Sequence, residues 1–169
     1  MALSVAIEDP ATPDVLALLG THLTLMRATT PPESVHALDV EALRVPSVTF
    51  WTVREGDALV GCGAMKALDA AHGEIKSMHV REAHRGRGIA ALLVETVLDA
   101  AAARNFTRLS LETGSTRHFA PARLLYARFG FVECGPFGGY IEDPHSTFMT
   151  KDLSAARGVL QPAQPLNRR

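Results

Sequence analysis

The chain predicts an α/β fold of the α+β kind: a mixed, mostly antiparallel central sheet of about seven strands carrying about four helices. Three observations carry this expectation. Between Val48 and Val80, three alternating or β-branched segments are separated by turn residues. A wide apolar stripe at helical spacing, Ile89 to Ala101, lies between two strand-like segments. A second helical stripe, Phe119 to Phe129, ends at Gly130 and is followed by two more short strands.

Taken in order, Leu3, Val5 and Ile7 alternate with small or polar neighbours and form a short first strand ended by Asp9-Pro10. Thr12 then stands as an N-cap candidate and Pro13 at the first helical position. Val15, Leu16, Leu19, Leu23 and Met26 follow at helical spacing, and the helix stops before Thr29-Thr30-Pro31-Pro32. A weaker helix is expected over Glu33 to Leu43, closed by Pro46. Val48 to Val53 and Ala58 to Ala67 read as strands joined by a hairpin at Gly56-Asp57. A third strand, Glu74 to Val80, completes an antiparallel meander.

From Ile89 the apolar positions Leu92, Leu93, Val97, Ala100 and Ala101 define a helix of about four turns reaching Arg104, with Asn105 as its stop. Leu109 and Leu111 alternate with Ser110 and Glu112 in a strand that should return parallel to Glu74 to Val80. Helix Phe119 to Phe129 and strands Phe131 to Cys134 and Thr147 to Leu153 finish the layout, as one domain over residues 1–153. Residues 154–169 mix Gly, Pro, Gln and basic residues without a period and are expected to be a weakly ordered tail.

The bulk numbers bound the function. The 169 residues suit one domain, and a formal net charge of -1 is not that of a general nucleic-acid binder. No apolar run approaches the about 20 residues of a membrane span, and the opening residues lack a basic stretch ahead of an apolar one, so a cytoplasmic chain without membrane contact is expected. The seven histidines show no metal-ligand spacing, so no metal is predicted. Cys62 and Cys134 are expected to be buried, reduced thiols. The sequence leaves open whether two copies pair as a homodimer.

The string His84-Arg85-Gly86-Arg87-Gly88-Ile89-Ala90 joins a strand to a helix start. Backbone NH groups of a first helical turn lack partners, and the helix dipole adds positive charge there. Gly86 and Gly88 allow close approach by a bulky anion, and Arg85 and Arg87 add charge. A pyrophosphate is the natural ligand. No Gly-Lys-Ser/Thr follows, which disfavours ATP. A dinucleotide fingerprint with Ala91 at its third position is disfavoured because the loop follows a meander rather than opening strand-helix units.

At these residues the chain resembles the GNAT superfamily of N-acetyltransferases, whose loop pattern Gln/Arg-x-x-Gly-x-Gly/Ala stands here as Arg85-x-x-Gly88-x-Ala90. The likeness extends to Met78-His79-Val80 before the loop and to Ala122-Arg123-Leu124-Leu125-Tyr126 with Gly130-Phe131 after it. It implies acetyl-CoA as cosubstrate, bound where strand Glu74 to Val80 splays from strand Leu109 to Glu112, between the fourth and fifth strands. Met78, His79 and Val80 would border the pantetheine arm, the first and last pairing with it through their backbones. The amides from Arg85 through Gly86, Arg87, Gly88 and Ile89 to Ala90 would hold the pyrophosphate. The Met78 NH would polarise the thioester carbonyl. Phe119 stands where many relatives carry an Asn, which removes a polar contact to the arm.

Two catalytic candidates follow. Tyr126 matches the family position near the CoA sulfur and could protonate the departing thiolate. Glu74, eleven residues before Arg85, stands near the place where some lysine-acetylating relatives carry a base. Alternation sends His79 to the face opposite Glu74, Met78 and Val80, so only one of Glu74 and His79 should line the cleft. Substrate choice is expected to reside in Arg27 to Glu33 and in the loop Gly135 to Ser146 with Phe137 and Tyr140, and Arg27, Arg117 or His118 could hold a substrate carboxylate. The expected reaction is direct acetyl transfer to the primary amine of a small molecule, amino-acid-like amines among them. A protein lysine or N-terminal acetyltransferase and a non-catalytic CoA-binding sensor stand as alternatives.

Overall fold

The computed structural model describes residues 2–36 and 39–154. Seven strands form one sheet: β1 (Leu3–Ile7), β2 (Val48–Glu55), β3 (Ala58–Ala67), β4 (His72–Val80), β5 (Arg108–Gly114), β6 (Val132–Cys134) and β7 (Ser146–Asp152). Their order is β1-β2-β3-β4-β5-β7-β6, and every pairing is antiparallel except β4 with β5. Helices α1 (Pro13–Thr29), α2 (Val40–Leu43), α3 (Ile89–Ala103) and α4 (Ala120–Arg128) complete the mixed fold that the sequence predicts.

The turns fall where residues tolerant of a left-handed backbone permit them. Gly56 has φ 60° in the β2–β3 hairpin, Asn105 has φ 61° after α3, and Gly130 has φ 88° after α4. Glycine also serves close packing at Gly114, where a Cβ would stand 1.9 Å from the Phe119 ring. That ring packs against Gly114 at the end of β5.

Two apolar layers sandwich the sheet. One holds Leu93, Val94 and Val97 of α3 and Tyr126 of α4 against Val60, Ile75, Leu109 and Leu111. The other holds Val15 and Leu18 of α1 and Leu43 of α2 against Phe50, Cys62 and Ala64. Arg54 of β2 fastens the start of α1, donating to Asp14 at 2.7 Å and to Glu8 at 3.0 Å. Both carboxylates are held below their ordinary range by that guanidinium.

The fold departs from the sequence expectation in three places. Of the helix predicted over Glu33 to Leu43, the described residues hold a 3-10 turn, Pro32–Ser34, and the four-residue α2, because Val35 is extended and Asp39, also extended, starts a new helix by capping the Ala42 amide. Cys62 is fully buried, with its thiol pushed up to about 12 by desolvation, whereas Cys134 on the edge strand β6 is only half-buried. Glu74, expected at the start of its strand, lies two residues inside β4 and is 4% exposed. Residues 155–169 of the expected tail lie outside the described residues. Among the described residues no helix is long and apolar enough to cross a membrane.

Candidate active site

The parallel pairing of β4 with β5 ends early. The register runs from His72↔Arg108 to Ile75↔Leu111, yet β4 continues to Val80 and β5 to Gly114. Beyond Ile75 and Leu111 the two strands part, and a cavity of about 350 Å³ runs through the gap. On the side of α3 and α4 it is bordered by Arg85, Ala90, Phe119 and Tyr126; on the other side by Glu74, Lys76, Glu112 and Tyr140. The cavity therefore joins the basic loop to a chamber on the opposite face of the sheet.

The basic loop has the predicted form. Gly86 and Gly88 have φ of 75° and 82°, and Gly88 is the N-cap of α3 with no side chain capping the helix. The amides of the first turn are left without side-chain partners, which suits an incoming anion. A Cβ at either glycine would meet nothing within 4 Å, so the backbone angle, not crowding, requires glycine. The two arginines differ. Arg87 forms a two-pronged ion pair with Glu55 of β2, at 2.8 and 3.0 Å, and so is engaged within the protein. Exposed Arg85 donates only a long bond of 3.4 Å to the Val80 carbonyl.

Strand β4 borders the gap in a bulged form. Ser77 has φ 55°, and Ser77 and Met78 together oppose Gly63 of β3, between the pairs Cys62↔His79 and Ala64↔Lys76. The Cys62 thiol donates to the Ser77 carbonyl at 3.4 Å. The bulge corrects the expected side of His79. Met78 and Val80 do pack toward α3, but the extra residue returns His79 to the face that carries Glu74, and both line the cavity. Met78 Sδ lies 2.5 Å from where a Cβ on Gly63 would stand, so glycine there gives the thioether its place.

His79 meets His22 of α1, with the two Nδ1 atoms 3.1 Å apart. Burial pushes each imidazole down to about 4. A pH dependence follows. The unfolded histidines bind protons first, so their contribution is fully present above about pH 6.5 and is lost as pH falls toward about 4. Glu112, raised by burial, acts in the opposite sense over part of that range. The effect is therefore isolated by difference: the Tm of the wild type minus that of a His22→Gln/His79→Gln variant should shrink between about pH 7.5 and about pH 4.5. At least about 1 kcal/mol, or roughly 2–4 °C, is expected, and a thermal melt series at stepped pH checks it.

Tyr126 of α4 is 6% exposed, stacks edge-on with Phe131 at 5.8 Å, and borders the gap. Burial raises its phenol above the ordinary value, so it remains a proton donor at neutral pH.

Across the sheet, Glu74 Oε2 accepts from Lys76 Nζ at 3.2 Å and from the Tyr140 hydroxyl at 2.5 Å. Lys76 Nζ also donates to that hydroxyl, at 2.9 Å. Tyr140 is delivered by the loop between β6 and β7, which is tied down where Ser34 donates to Asp143. His36 and Phe137 pack edge-on against the Tyr140 ring, with centroids 5.0 and 5.1 Å away. Beside them stands Glu112, raised to about 7 first by burial and further by the charges of Glu74 and Asp143, against the pull of Ser146 and Lys76.

The structure brings Glu74, Met78, His79, Val80, Arg85, Ala90 and Tyr126 to one cavity, along with Tyr140 from the loop expected to govern substrate choice; from the end of α1 it is Met26 that lines the cavity, and none of the residues Arg27 to Glu33 expected there does. Arg27, Arg117 and His118 are exposed and do not line it. Sequence reasoning missed Glu112, Lys76 and His22. Glu112 was legible only as the polar partner of Leu111 in an alternating strand. Its meaning depends on where β4 leaves β5, which alternation does not encode.

Comparison with known proteins agrees with this geometry. Residues 18–131 match the model of the acetyltransferase (GNAT) family. The N-acetyltransferase YsnE of Bacillus subtilis (strain 168) is 50% identical over 149 residues, covering 88% of this chain and 99% of that protein. YedL of Escherichia coli (strain K12), also named an N-acetyltransferase, is 45% identical, covering 89% and 94%. The IAA acetyltransferase of Azospirillum brasilense is 38% identical, covering 89% and 97%. A solved structure from Klebsiella pneumoniae described as an acyl-CoA N-acyltransferase superposes with a TM-score of 0.73 at 28% identity, over 89% of this chain and 97% of that one. On the strength of the family match and of relatives aligned along nearly their whole length, the chain belongs to the GNAT family and is an N-acetyltransferase.

Proposed function

We propose that the chain moves an acetyl group from acetyl-CoA directly to the primary amine of a small molecule, amino-acid-like amines among them. The observation that carries this reading is the continuous cavity through the β4–β5 gap. One end opens at the uncapped start of α3, and the other is a chamber walled by Tyr140 and its aromatic neighbours. A volume of about 350 Å³ lies at the small-ligand end of the usual range for such sites. Only part of that volume lies on the acceptor side of the gap, and a recess so small between Tyr140 and β4 suits a compact amine.

In this reading the amides from Arg85 to Ala90 bind the pyrophosphate, with the exposed Arg85 guanidinium adding positive charge. The β4 edge from Met78 to Val80, without a β5 partner, lines the pantetheine arm. The Met78 NH faces the developing charge on the carbonyl oxygen, and Tyr126 gives a proton to the departing sulfur. The chamber on the Glu74 face holds the acceptor amine, and one of its carboxylates relieves the nitrogen of a proton.

The test is CoA thiol release from acetyl-CoA in the presence of a broad panel of small primary amines, of lysine-bearing peptides, and of IAA, the compound in the name of the Azospirillum brasilense relative. Release that depends on a small amine and not on the peptides is expected. Release only with peptides, or with none of the panel, would contradict it.

A further inference from the structure

Resting on the acyl-transfer reading above, we propose that Glu112 receives the acceptor's ammonium group and takes its proton, while Glu74 is a positioning residue that fixes Lys76 and Tyr140 around that site. Three observations place Glu112 there. First, Ile75↔Leu111 is the last pair of the β4–β5 ladder, so Glu112 is the first β5 residue in the gap, where the two halves of the cavity meet. Second, alternation along β5 buries Leu109 and Leu111 against α3 and directs Ser110 and Glu112 to the acceptor face, beside Glu74. Third, the two carboxylates differ in what they already hold.

Glu74 is 4% exposed, and one of its oxygens already accepts from both Lys76 and Tyr140. A carboxylate so engaged is committed to holding Lys76 and Tyr140 in place. Glu112 is half-buried and lines the cavity, and among the described residues it has no ion-pair partner. The groups facing it are Glu74 and Lys76 from β4, Tyr140 and Asp143 from the loop before β7, and Ser146 at the start of β7. With Glu74 and Lys76 cancelling, an ionised Glu112 leaves the chamber net negative and suited to an ammonium ion. Desolvation that raises its proton affinity to about 7 also brings it toward that of a base working near neutral pH.

The step balances as follows. One proton passes from the ammonium nitrogen to a Glu112 oxygen and then to solvent. The freed nitrogen lone pair forms the C–N bond to the acetyl carbon as the C–S bond breaks. Tyr126 supplies its proton to the departing sulfur, and the second nitrogen proton, lost as the amide forms, restores the phenol. The sum is an ammonium ion and a thioester giving an amide, a thiol and one released proton.

The test is the pH profile of kcat/KM for the best amine of the panel, in the wild type, in Glu112→Gln and in Glu74→Gln. For the wild type, a rise to a plateau at about pH 7 is expected, holding until the amine itself deprotonates. Glu112→Gln should lose about 10²-fold at neutral pH, with the KM for acetyl-CoA and the Tm little changed. Its rate should then rise with pH up to the pKa of the amine, without the plateau. Glu74→Gln should keep the plateau but move its edge to lower pH, since the charge that helps to raise Glu112 is gone; a merely structural role would leave the edge in place. If Glu112→Gln folds poorly, the wild-type profile decides, because a rate rising continuously to the pKa of the amine shows that no protein carboxylate takes the proton. Wild-type turnover with Glu112→Gln within about threefold of it overturns this assignment alone. Absence of turnover with every amine overturns the acyl-transfer reading and this assignment with it.

Discussion

Tyr126→Phe should lower kcat by about a hundredfold or more while leaving the fold intact. The ring packs in the apolar layer against Phe131, so the substitution keeps that burial and removes only a hydroxyl at the gap. Because burial raises the phenol, it is protonated at every pH where the enzyme would work, and the wild-type rate should show no limb from its ionisation. The loss should fall on kcat, with the KM for acetyl-CoA changed less than about threefold, since a group that acts on the departing sulfur acts in the transition state and not in cosubstrate binding. Steady-state thiol release over a grid of both substrates measures this. An unchanged kcat would mean that solvent protonates the sulfur and that Tyr126 is a packing residue.

The second large effect is expected at the start of α3. Gly88→Val must either force a β-branched residue to φ 82° or rebuild the loop, at a cost of at least about 1–2 kcal/mol. Nothing surrounds the position to clash with a side chain, so the fold should survive with a modest fall in Tm. What suffers is the alignment of the amides from Arg85 to Ala90. The Kd for CoA should rise tenfold or more, and the KM for the amine should stay close to the wild-type value. Arg87→Ala is the contrasting control. Its guanidinium is engaged by Glu55, so its removal should weaken CoA binding much less than the loss of the glycine geometry. Calorimetric titration of CoA into the three proteins orders them. Equal affinities would place the pyrophosphate elsewhere.

These expectations rest on features of unequal legibility. The order of strands and helices was readable because apolar periodicity changes cleanly from two to nearly four at Ile89, and because Gly56, Asn105 and Gly130 sit where the chain must turn left-handed. The anion loop was readable because its chemistry is local: two glycines and a helix start lie within a few residues. The chamber was not, since it is assembled across long separations, Glu74 to Tyr140 and His22 to His79.

Alternation misplaced His79 relative to Glu74 because a bulge adds one residue at Ser77, and nothing about a serine announces a positive φ. Arg87 looked like a second phosphate contact because Glu55, which engages it, lies far back in the sequence. Glu112 looked like one polar residue in an ordinary strand, because its place at the mouth of the gap depends on how far the parallel ladder extends. In each case the missing information was a tertiary contact rather than a propensity.

The most direct test of the account is a crystal structure of the chain with CoA bound. The pyrophosphate is expected on the amides from Arg85 to Ala90, the arm along the open β4 edge from Met78 to Val80, and the sulfur within hydrogen-bond reach of the Tyr126 hydroxyl, facing Glu112 through the gap. A sulfur lodged away from Tyr126, or an arm that leaves the β4–β5 gap closed to the Glu112 chamber, would contradict it.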